Sequence, residues 1–87
     1  MTRKNDLYII SVMIGQAGHN EHQGNLSSAF TRWNWALSKI KEHTDKYGGE
    51  QDIVFSGLRY LCLENMTRIN RLRFIEKAEK LLEKLLT

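Results

Sequence analysis

The stretch "ENMTRINRLR", Glu64 to Arg73, decides how many helices this chain has. Upstream of it, Val54, Leu58, Leu61 and Cys62 recur at steps of three and four and share one helical face. Downstream, Phe74, Ile75, Ala78, Leu81, Leu82 and Leu85 share one broad face, and Glu76, Lys77, Lys80, Glu83 and Lys84 occupy the other. At ~100° per residue the two apolar faces differ by about half a turn. One straight helix through both would have to bury opposite sides at its two ends. A turn within Glu64–Arg73 is the simpler reading, with Asn65, Thr67 and Asn70 offering capping side chains. The competing reading is a continuous long helix that bridges two partners.

Working back toward the N-terminus, Leu26, Ala29, Phe30, Trp33, Ala36, Leu37 and Ile40 form a clear helical stripe. Asn25 is a good N-cap, because its side-chain oxygen can accept from an otherwise unpaired backbone N–H. Gly48-Gly49 ends the helix. Before that, Leu7, Ile10, Ile14 and Ala17 lie on one helical face, although Leu-Tyr-Ile-Ile-Ser-Val is also rich in strand formers. Gly57 weakens a helix by about 1 kcal/mol relative to alanine, and a hairpin turning at Ser56-Gly57 competes there. The fold expected is all-α and a single domain over 1–87: four helices of about 6–20, 25–46, 52–64 and 67–86, packed as two hairpins. The alternative is α+β, with 7–14 and 53–63 as strands under two helices.

Composition narrows the class without naming a function. A chain of 87 residues forms one small domain, and such a domain buries only about 60–65% of the surface its unfolded chain exposes. Hydrophobic residues make up 41%, which suits a globular protein. The net charge of +3 is mildly basic and permits either a nucleic acid or an acidic protein partner. The single cysteine, Cys62, excludes an intramolecular disulfide, so a reducing cytoplasm is the natural setting. No apolar run reaches the length of a membrane span, and Leu7–Ile14, interrupted by Ser11, does not read as a signal peptide. There is no proline, so sharp turns fall to glycine.

The segment Ile10–Ile40 resembles a tetratricopeptide repeat, a helical hairpin of about 34 residues with small and large residues at fixed offsets. Gly24-Asn25-Leu26 resembles its inter-helix turn, and Ala29 its small residue early in the second helix. Trp33 stands at the large aromatic, Ala36-Leu37 at the closing pair, and Ala17 at the small position of the first helix. Gln16 and Asn20 depart from the leucine and tyrosine of that family, no second repeat follows, and the closing proline is absent. The resemblance implies a scaffold or chaperone that binds protein partners.

Four groups of residues carry candidate chemistry. His19, Glu21 and His22 in "HNEH" could contribute to a zinc site, but a structural site needs four ligands, so a solvated turn is the expectation. Cys62, between Leu61 and Leu63, reads as a small buried hydrophobe and not as a nucleophile. Arg68, Arg71 and Arg73 make the most basic segment, suited to phosphates and base edges. Trp33 belongs to the core stripe, whereas Trp35 lies about 200° round the helix with Arg32 and Lys39. Trp35 either lies under the C-terminal helix or is an exposed aromatic anchor, since tryptophan and arginine are enriched at binding hot spots.

The function expected is a small helical protein-interaction module: an adaptor, inhibitor or chaperone-like regulator, with self-association as one form of partnership. Trp35, Arg32 and Lys39 are its expected contacts. The alternative is a basic nucleic-acid-binding regulator using Arg68, Arg71 and Arg73. No paired acid and base or phosphate-binding glycine loop points to an enzyme. No cofactor, metal, small-molecule substrate or membrane is implied.

Overall fold

A computed structural model describes residues 2–48 and 52–87. It contains three α-helices, α1 (Thr2–His22), α2 (Leu26–Tyr47) and α3 (Ile53–Leu86), with no strand among the described residues. The all-α expectation therefore holds and the α+β alternative does not. Residues 7–14 and 53–63 are both helical despite their strand formers, because their buried positions fall at helical steps and packing overrides a weak local preference.

The α1–α2 turn is built as its residues suggest. Gly24 takes a positive φ of 78°, and the Asn25 side chain accepts from the Ser28 N–H at 3.2 Å. At the far end Gly48 adopts the left-handed conformation, φ 66°, and its N–H donates to Thr44 O at 2.9 Å. Gly49, expected to share that role, lies outside the described residues. Asp52 opens α3 by accepting from the Val54 N–H at 3.0 Å.

Among the described residues the number of helices is three and not four. No turn interrupts Glu64–Arg73, and 53–86 is one helix of 34 residues. The expected capping side chains bond within the helix: Asn65 Nδ2 donates to Leu61 O at 2.7 Å, and Thr67 Oγ1 to Leu63 O at 2.9 Å. The half-turn mismatch between the two apolar faces is real, but it is resolved by leaving the second face bare. Phe55, Cys62 and Ile69, each seven residues apart, are the buried side chains of α3 and form one line toward α2. Val54 and Leu61 are exposed, Leu58 packs against the core, and beyond Ile69 no side chain of α3 is buried.

α2 is the central element. Its Ala29, Trp33, Ala36 and Ile40 meet Ile10 and Ala17 of α1 and the Phe55–Cys62–Ile69 line of α3 in one core. α1 and α3 both pack on α2 and run in parallel. Two ion pairs join them side by side: Arg3 with Asp52 at 2.9 Å, and Glu21 with Arg68 at 2.6 Å. The partners are 49 and 47 residues apart in sequence, so each position of α1 lies level with one about 48 further on in α3. The end of α1 at His22 is thus level with about residue 70. The last 16 or so residues of α3, ~24 Å at 1.5 Å per residue, run on with neither helix beside them. The molecule is correspondingly elongated, 58 by 22 by 16 Å.

Candidate functional site

Trp35 is not covered by α3. It sits on the side of α2 that adjoins α1, 47% exposed, in a shallow apolar groove with Tyr8, Ile9, Val12 and Met13. Arg32 lies one turn before it, its guanidinium 5.0 Å from the indole centroid. Arg32 Nη1 also donates to Gln16 Oε1 at 2.9 Å, so α1 holds the guanidinium against the ring. Tyr8, Ile9 and Val12 are themselves exposed, because they lie on the side of α1 away from Ile10 and Ala17. A flat aromatic, a fixed cation and three bare apolar side chains therefore share one surface.

Lys39, expected beside Trp35 as a free contact, is engaged within the chain. Its Nζ lies 3.5 Å from both Asp6 and Glu42. Burial works against the ammonium, but the carboxylates of Glu42 and Asp6 outweigh it and hold its pKa up.

The other candidates separate. Cys62 is fully buried, and burial pushes its thiol up to about 11, which leaves it protonated and unreactive. His19 and His22 are exposed while Glu21 is taken by Arg68, and no cluster fit to hold a metal occurs among the described residues. Arg68 is bound to Glu21 and, at 2.8 Å, to Asn65 Oδ1, and the bond to Glu21 raises its pKa further. Arg71 and Arg73 stand about 160° apart around α3. Arg68 and Arg71 line one shallow groove with Tyr60, Leu63 and Glu64, and Arg73 stands off it, so the three do not converge.

Sequence reasoning missed a polar cluster that ties all three helices together. Asp6 of α1 and His43 of α2 are both buried, with His43 Nδ1 2.5 Å from Asp6 Oδ2. A carboxylate only accepts, so Nδ1 carries the proton in this contact. The imidazole stacks flat on Phe55 of α3, centroids 4.0 Å apart and planes within 2°. The Arg3 guanidinium covers the same phenyl ring at 5.7 Å. The hydrogen bond from His43 holds the Asp6 carboxyl below its ordinary pKa against the opposing effect of burial, and Lys39 adds to it. The signal for this cluster was available: His43 continues the α2 stripe of positions 29, 33, 36 and 40 by one more helical step.

No family model, curated protein or solved structure matches the chain closely enough to assign it a family or a function.

Proposed function

We propose that this protein is an interaction module, a small adaptor, inhibitor or chaperone-like regulator, whose α1–α2 groove seats an apolar segment of a protein partner. The observation that carries this reading is Trp35, half bare beside Tyr8, Ile9 and Val12 with Arg32 fixed over its ring. Such an aromatic–arginine pair gives a partner a large rigid contact at low entropic cost, with a cation at its edge for a carboxylate. The segment that fits is therefore apolar with an acidic residue alongside. The likeness of residues 10–40 to a tetratricopeptide hairpin points the same way.

The test is capture of partners by the full chain, nuclease-treated, beside a Trp35→Ala variant. The expected result is loss of the captured protein with an unchanged melting temperature. Unfolding of the variant, or capture that depends on nucleic acid, would overturn the reading. The basic segment supports the nucleic-acid alternative only through charge, because Arg68 is already paired.

A further inference from the structure

The overhang of α3 carries an apolar face that none of the described residues covers. Phe74 is 72% exposed, Leu81 62% and Leu85 82%, and Ile75, Leu82 and Leu86 are also bare. Together these six residues expose roughly 680–800 Å², taking about 170–200 Å² for each whole residue. That exceeds the few hundred Å² a monomer ordinarily leaves in one patch and approaches the ~800 Å² per partner of a standard interface. A helix of this length without tertiary contacts is marginal in water, so the overhang gains most from a neighbour.

The charges beside the stripe indicate which neighbour. Around the helix, Lys77 and Lys84 border one edge of the Phe74–Ala78–Leu81–Leu85 line, with Arg73 and Lys80 behind them. Glu79 borders the other edge, beyond Ile75 and Leu82, with Glu76 and Glu83 behind it. One flank is wholly basic and the other wholly acidic. Two copies packed antiparallel would set like flank against like flank. Two copies packed in parallel set the basic flank of each against the acidic flank of the other. The stripe points about half a turn away from the Phe55–Cys62–Ile69 line, so the two three-helix bodies fall on the outside of such a pair.

We infer that residues 74–86 form a self-association site, and that its occupant is the same helix of a second copy of this chain, running in the same direction. This site lies on a different surface from the Trp35 groove and does not depend on it. Sedimentation of the full chain from about 1 to about 200 μM tests it, because the apparent mass of a weak dimer depends on concentration. The mass is expected to rise from 10.2 kDa toward twice that value. Leu81→Asp with Leu85→Asp should keep it at the monomer value, with the melting of the body unchanged. Trp35→Ala should leave the association intact.

Direction is read by Arg71→Cys, at the start of the stripe. In a parallel pair the two thiols meet and form an interchain disulfide under mild oxidation. In an antiparallel pair they stand roughly 20 Å or more apart. The buried Cys62 of the unsubstituted chain serves as the control. A wild-type chain that stays monomeric throughout would overturn the inference, as would one that sediments only with anionic vesicles or a double variant that still associates. Absence of the Arg71→Cys crosslink in an associating chain would overturn the parallel arrangement.

Discussion

The two halves of α3 are one continuous helix with similar apolar content and opposite fates. From Ile53 to Ile69 its buried side chains point at α2, and from Asn70 to Leu86 its leucines face solvent. Apolar periodicity establishes that a segment is an amphipathic helix. Burial depends on what the rest of the chain places beside it, and here α1 and α2 end level with about residue 70. The first half is held by tertiary packing, and the second by its own hydrogen bonds and whatever it meets.

This contrast can be broken by substitution. Phe55→Ala empties a fully buried ring site stacked on His43 and should cost about 3–5 kcal/mol, a large share of the roughly 4–13 kcal/mol expected for a domain of this size. Ile69→Ala, the last buried position, should cost about 2–5 kcal/mol in the same denaturant titration. Leu82→Ala or Leu85→Ala in dilute protein should change stability by less than about 0.5 kcal/mol. An equal cost in the two halves would show that the overhang is packed in the monomer. Amide exchange sharpens the point, since 72–84 should exchange well ahead of 55–69 in dilute protein and slow as concentration rises.

Acid gives a smaller effect confined to the body. Both Asp6 and Asp52 have folded-state pKa values below their ordinary ones, Asp6 through the bond with His43 and Asp52 through the bond with Arg3. A carboxyl whose pKa is lowered by folding contributes stability that is fully present above its unfolded value, about 4, and is lost as pH falls through the folded value. Melting temperature should therefore drop as pH is taken below about 4. Asp6→Asn should flatten that dependence. A wild-type chain whose melting is level down to about pH 2 would show that neither pair matters.

The smallest effect should be a gain. Gly57 lies in the interior of α3 on its exposed side, and a Cβ built there meets no atom within 4 Å. Gly57→Ala should stabilise the helix by about 0.5–1 kcal/mol.

Much of this arrangement was legible before the structure. The α2 stripe, the Asn25 cap and the Gly48 stop were read from side-chain chemistry alone, because each involves neighbours within one or two turns. The division of the two tryptophans was legible from helical phase, although phase could not say what lay over Trp35. Two things were hidden for physical reasons. The continuity of α3 was hidden because the phase argument assumed that every apolar face is buried, and because asparagine and threonine serve equally as caps or as back-bonding residues within a helix. For the same reason the apolar stripe of Val54 and Leu61 points to the wrong side of the helix, and Phe55, which lies off that stripe, fills the core. Of the Asp6–His43 contact only the pairing was hidden: helical phase puts His43 on the buried side of α2, but nothing local points to Asp6, 37 residues away.

The two cross-links between α1 and α3, Arg3 to Asp52 and Glu21 to Arg68, have a mechanical consequence. They sit near opposite ends of α1, so α3 cannot slide by a helical turn, ~5.4 Å, without breaking both. They act as two rungs that set the reach of the overhang. A helix clamped along its first half and free along its second is a lever. A tilt of about 10° in the clamped half would sweep the tip near Leu86 through roughly 4 Å, given an arm of ~24 Å. Whatever is held at the tip would then register small rearrangements of the body, Trp35 groove included, as a change of position.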